Sequence, residues 1–81
     1  MIRVKVLYFA AVRELVGIDE EDVELDAQTV RAFTAWLEAN REPLRGRLGS
    51  VRIARNEVFA SVDEALAEGD VLALIPPVAG G

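Results

Sequence analysis

The groups with most chemical potential in this chain stand together in the run Pro76-Pro77-Val78-Ala79-Gly80-Gly81. Gly80 and Gly81 have no side chains, so they fit a channel too narrow for any other dipeptide. Gly81 offers the terminal carboxylate, which is inert until activated. Adenylation by a second protein, using ATP, would convert it to a mixed anhydride. Attack by sulfur on that anhydride leaves a thiocarboxylate, and attack by an amine leaves an amide. Pro76 and Pro77 stiffen the approach, because proline fixes φ and biases its predecessor away from helix. Residues 77–81 are therefore expected to form a flexible tail on a rigid base, with Val78 and Ala79 carrying the reach between the prolines and the glycines.

The rest of the chain supplies no rival chemistry. It has no cysteine and no histidine, which excludes disulfides, thiolate catalysis and the usual soft metal sites. Ser50 and Ser61 lack a histidine to activate them. Lys5, the only lysine, lies in an alternating strand and is expected to face solvent. Gly46 and Gly49 are not followed by the Lys-Ser or Lys-Thr of a phosphate loop. No metal and no permanently bound cofactor is expected. The chain reads as a substrate or carrier and not as a self-sufficient enzyme.

Bulk properties narrow the partners. A formal net charge of -5 argues against nucleic acid. Arg3 and Lys5 interrupt the first apolar run and no long apolar stretch follows. A secretory signal and a membrane span are not expected, and the cytoplasm is the default location. Six acidic residues fall between Asp19 and Asp26, either as a solvated strand edge or as a docking face for a basic surface. Apolar residues make up 52% of the 81, more than so small a core can absorb, which leaves some for an interface.

The elements that must position the tail follow from periodicity. Residues 2–9 read as a strand with Val4, Val6 and Tyr8 on one side and Arg3, Lys5, Leu7 and Phe9 on the other. The second side changes from charged to apolar along its length. Leu7 and Phe9 there meet either a partner or a covering loop. Residues 10–16 form a short helical segment closed by Gly17. Residues 22–25 pair with the first strand as a hairpin, Val23 and Leu25 inward. Thr29 caps a helix over residues 30–40 whose apolar stripe is Val30, Phe33 and Leu37, with Trp36 widening it into the core or half-core. Pro43 opens a turn over residues 43–47. Residues 51–55 and 58–61 are short strands around Asn56-Glu57, although Glu57 stands where glycine would be preferred. Asp63-Glu64 favours one helical turn over residues 63–66. Residues 71–75 are nearly all apolar, like a central strand covered on both faces. The chain is thus expected to be a single α+β domain over residues 1–81, a ubiquitin-like β-grasp roll with a mixed sheet packed on one main helix.

On these residues the chain resembles a known family. The stretches are VKVLYFAAVRELV at residues 4–16, the region around Asn56, and GDVLALIPPVAGG at residues 69–81. The helix after Thr29 and the Pro43-Leu44 turn also fit. Together they resemble the small subunit of molybdopterin synthase, a ubiquitin-like sulfur carrier, and the likeness covers essentially the whole chain. The resemblance implies that Gly81 is adenylated by an adenylyltransferase like those that charge ubiquitin, then loaded with sulfur from a donor system as a thiocarboxylate. It implies a large subunit that receives the tail and supplies the catalytic residues, in a heterotetramer where two deliveries convert precursor Z (cyclic pyranopterin monophosphate) to molybdopterin. Family interface positions fall on Phe9, Phe59 and Ile75, with Leu7 a weaker candidate. A sulfur carrier for thiamine or tRNA thiolation, or a protein modifier, would use the same chemistry at Gly81. A non-covalent ubiquitin-like adaptor would not use it at all.

Overall fold

β1 (Ile2–Tyr8) buries every second residue, Val4, Val6 and Tyr8, each at most 1% exposed. That alternation fixes its register. It pairs antiparallel with β2 (Glu20–Leu25), setting Val4 opposite Val23 and Ile2 opposite Leu25. The two strands are not joined by a tight turn. A short helix α1 (Ala10–Val16) intervenes, and Gly17 ends it in the left-handed region at φ 90, where a Cβ would be disfavoured. The computed structural model describes residues 1–77, so the expected tail lies outside the described residues from residue 78 onward.

α2 (Val30–Asn40) has the bounds that its periodicity requires, and it buries Val30, Phe33 and Leu37. Trp36 is half-buried against the core, with the Arg41 guanidinium 5.2 Å from its ring centroid. The Thr29 hydroxyl accepts from the Ala32 N–H at 3.2 Å, the bond expected of an N-cap. A 3-10 turn, Glu42–Leu44, follows with Pro43 inside it and buries Leu44.

Three more strands complete the sheet: β3 (Arg52–Arg55), β4 (Val58–Phe59) and β5 (Val71–Ile75). Their order is β2-β1-β5-β3-β4. β5 runs parallel to β1 and antiparallel to β3, so the last strand is the middle one. α2 covers one face, where Leu72, Leu74 and Ile53 join the core. This is the mixed sheet on one main helix that the sequence implies.

Two expectations need correction. Residues 63–66 do not form a helical turn. Their backbone groups, with those of the preceding Val62, are committed elsewhere: Glu64 O accepts from Val30 N–H at 3.0 Å, Val62 O accepts from Arg31 N–H at 2.8 Å, and Leu66 N–H donates to Gln28 O at 3.0 Å. The first turn of α2 has N–H groups with no partner inside the helix, and this segment satisfies them in extended form, through a bridge between Thr29 and Ala65. Asp63 and Glu64 accordingly do not start a helix; they pair with Arg31 and Arg55. Nor is β5 covered on both faces. Leu72 and Leu74 are sealed, but Val71, Ala73 and Ile75 are only half-buried.

The acidic run is largely neutralised by this chain's own cations. Arg13 pairs with Asp19, Lys5 with Glu20 and Asp22, Arg3 with Glu24, and Arg41 with Glu21. Among the described residues, no helix is long and apolar enough to cross a membrane.

Candidate functional site: an alanine-floored groove beside the end of β5

The sheet face away from α2 carries a groove of about 390 Å³ lined by apolar side chains of four strands or their ends. Its shape follows from register. Leu7 pairs with Ala73, Ala73 with Ala54, and Ala54 with Phe59. One row across the sheet thus has large residues at its ends and two alanines in the middle. Small side chains at Ala54 and Ala73 make the floor; Leu7, Phe9, Phe59 and Ile75 make the walls. All four wall residues are those that the sequence placed on one docking patch. Phe9 is 43% and Phe59 51% exposed, so they are not core residues held by α2. Phe59 ends β4, which is only two residues long and stops short of the strand over 58–61 that the sequence suggests.

Backbone geometry aims these walls. Phe9 precedes the reversal out of β1, where Ala10 adopts φ 49. Phe59 follows a turn in which Asn56 and Glu57 have φ 52 and 74, the left-handed pair of a tight hairpin. The turn is locked to the start of β5 through Asn56. Its backbone N–H donates to Val71 O at 2.8 Å, its side-chain oxygen accepts from Val71 N–H at 2.9 Å, and its amide NH₂ donates to Asp70 Oδ1 at 3.0 Å.

Asp70 is the one buried charged side chain among the described residues, 5% exposed. Burial is the largest influence on its carboxyl and would raise the pKa. The hydrogen bonds from Arg55, the Ala67 N–H and Asn56 together outweigh it and hold the carboxyl below its ordinary range. The Arg55–Asp70–Asn56 lock escaped the sequence reading. Asn56 reads as a turn residue and Arg55 adjoins it in the chain, but nothing in one sequence brings Asp70 to the pair.

At the other end of the groove β5 finishes at Ile75, the register partner of Arg52. Pro76 is half-buried and Pro77 exposed. Val78, Ala79, Gly80 and Gly81 lie outside the described residues. Among the described residues no cluster of three or more carboxylates could hold a metal.

Comparison with known proteins fits this geometry. The ThiS family profile matches residues 6–81, and the chain belongs to that family. It is 42% identical over 80 residues to the molybdopterin synthase sulfur carrier subunit of Escherichia coli, covering 96% of this chain and 99% of that one. Among solved structures, a putative molybdopterin converting factor subunit 1 from Pyrococcus furiosus superposes with a TM-score of 0.84 at 36% identity, covering 96% of this chain and all of that one. A chain from the Helicobacter pylori complex of molybdopterin-converting factor subunits 1 and 2 superposes with a TM-score of 0.72 at 28% identity, over 99% of this chain and all of that one.

Proposed function

We propose that this chain is the sulfur carrier subunit of a molybdopterin synthase and that Gly81 bears the transferred sulfur. The observation that carries the reading is a likeness running through residue 81, at 42% identity over 99% of a curated carrier's length. The groove supports it, since Phe9, Phe59 and Ile75 form one apolar surface beside the strand that leads to the tail.

The chemistry proceeds in two substitutions, the first at phosphorus and the second at the Gly81 carbonyl carbon. A Gly81 carboxylate oxygen attacks the α-phosphorus of ATP, pyrophosphate leaves, and an acyl adenylate forms on a partner adenylyltransferase. Hydrosulfide supplied by a donor system then attacks the carbonyl carbon, AMP leaves with the anhydride oxygen, and a thiocarboxylate remains. The large subunit receives this tail, and two deliveries convert precursor Z to molybdopterin. In this reading Pro76 and Pro77 hold the emerging chain extended, and Gly80 passes the channel because it has no Cβ. The groove docks the large subunit within a heterotetramer, in the cytoplasm.

The test is intact mass after incubation with the adenylyltransferase, ATP and the sulfur donor. The full chain gains one sulfur in place of one oxygen. Deletion of Gly81 abolishes that change and leaves the circular dichroism spectrum and Tm as they were. A sulfur-loaded species on the truncated chain would overturn the assignment.

A further inference from the structure

Nine cationic side chains occur in this protein, and most are matched. Arg3, Lys5, Arg13, Arg31, Arg41 and Arg55 each meet a carboxylate. Among the described residues Arg45, Arg47 and Arg52 do not. Arg52 differs from the other two in its place. Its register partner is Ile75, and it shares the groove face with Ala54, two residues along β3. Its guanidinium carbon lies 4.0 Å from the centroid of the Phe59 ring.

Stacking uses the flat face of the guanidinium and leaves its five in-plane N–H donors unspent. None of them donates to another described side chain or carbonyl. A group fixed by stacking, exposed at its edge and rich in paired donors suits a carboxylate, which a guanidinium meets through two parallel hydrogen bonds. Glu57 lines the opposite end of the groove. Arg52 and Arg55 are separated by about 10 Å of strand, and Glu57 stands in the turn that follows. The groove is therefore apolar in its middle and anionic at Glu57, while Arg52 stands just outside its lining, stacked on the Phe59 wall beside the end of β5 and bordering a neighbouring hollow with Val51 and Val62. A partner whose own charges run the other way meets it in one orientation only.

We propose that Arg52 is a specificity-determining contact, receiving a carboxylate of the docked large subunit at the end of the groove where the tail departs. This rests on the docking reading above. It adds what that reading lacks: the sign and position of a charge on the partner, and a means of setting the direction of docking.

The experiment is titration calorimetry of the full chain with the large synthase subunit from the same organism, at low and high salt. Arg52→Glu weakens binding by about tenfold or more at low salt, because it sets like charges face to face in a desolvated contact. Arg52→Leu keeps an apolar cover on Phe59 and loses a smaller factor, with a reduced dependence of affinity on salt. Arg45→Glu makes the same change in net charge away from the groove and stays near the parent affinity. Tm for Arg52→Glu remains close to the parent, since no described carboxylate loses a partner. Parent-like affinity of Arg52→Glu at low salt, or an equal loss in Arg45→Glu, overturns the proposal. Phe59→Ala separates the two levels. If it weakens binding while Arg52→Glu does not, only the role of Arg52 fails; if it binds like the parent, the docking reading fails first.

Discussion

The two faces of the sheet are made from the same strands and differ in what lies over them. On one, Val4, Val6, Tyr8, Ile53, Leu72 and Leu74 pack under α2, none more than 4% exposed. On the other, Leu7, Phe9, Ala54, Phe59, Ala73 and Ile75 surround a groove without an element of the described chain above it. Each pair of neighbours, Leu72 beside Ala73 or Leu74 beside Ile75, divides its loyalties between them. Composition does not separate the faces, since both are apolar. Alternation along each strand and the single covering helix do. An apolar face that the fold leaves open is a surface suited to burial against another molecule.

The largest expected effect tests that division directly. Leu72→Ala removes a fully buried side chain from the middle strand and costs about 3 kcal/mol of stability, read from denaturant unfolding. Phe59→Ala, one aromatic on the other face, costs under about 1 kcal/mol of stability and about 2 kcal/mol of affinity for the large subunit. Equal stability losses in the two variants would make the groove a second core and end the contrast.

A second, intermediate effect lies in acid. Glu21 is held below the ordinary carboxylate range chiefly by the Arg41 hydrogen bonds, against an opposing influence of burial and with help from the Tyr8 hydroxyl at 2.6 Å. Burial, reinforced by Glu21, pushes the Tyr8 hydroxyl well up, so it remains a donor throughout. Asp70 is depressed as well. Carboxyls depressed in the folded state contribute stability that is complete above their unfolded pKa and is lost as pH falls through the folded one. Tm should hold near neutrality and decline below about pH 4. Glu21→Gln should flatten part of that decline by removing one depressed carboxyl, and should lower Tm near neutrality because Arg41 and Tyr8 lose its charge. Asp70→Asn should flatten another part and loosen the hairpin that carries Phe59. A Tm independent of pH down to strong acid would contradict both assignments.

The smallest effect has the opposite sign. Glu57 holds φ 74, a region that costs a residue with a Cβ about 1 kcal/mol. Glu57→Gly should raise stability by about 0.5 to 1 kcal/mol in thermal unfolding. No gain would mean that the turn relaxes and that the Asn56 lock, more than local conformation, places β4.

Much of this was legible in the residues. Thr29 and the stripe Val30, Phe33 and Leu37 fix α2, because helix caps and period are local signals. Parity in β1 puts Leu7 and Phe9 opposite Tyr8 without reference to anything distant. Residues 63–66 mislead for the complementary reason. Their acidic start resembles a helix entrance, but the N–H groups of α2 compete for their carbonyls, and that competition spans more than thirty residues of sequence. Arg52 shows the same limit more subtly. Its parity with Ala54 was readable, but its seat over Phe59 depends on a turn locked by Arg55 and Asp70 from separate segments.

The position of β5 has a mechanical meaning. β5 is gripped along both edges, by β1 running with it and β3 running against it. A force applied along the axis of β5 at its C-terminal end loads both ladders in shear. Hydrogen bonds loaded that way share the tension, whereas a strand peeled from a sheet edge gives them up one at a time. Such a chain can be hauled by its end through a narrow passage while the face beside that end keeps its form.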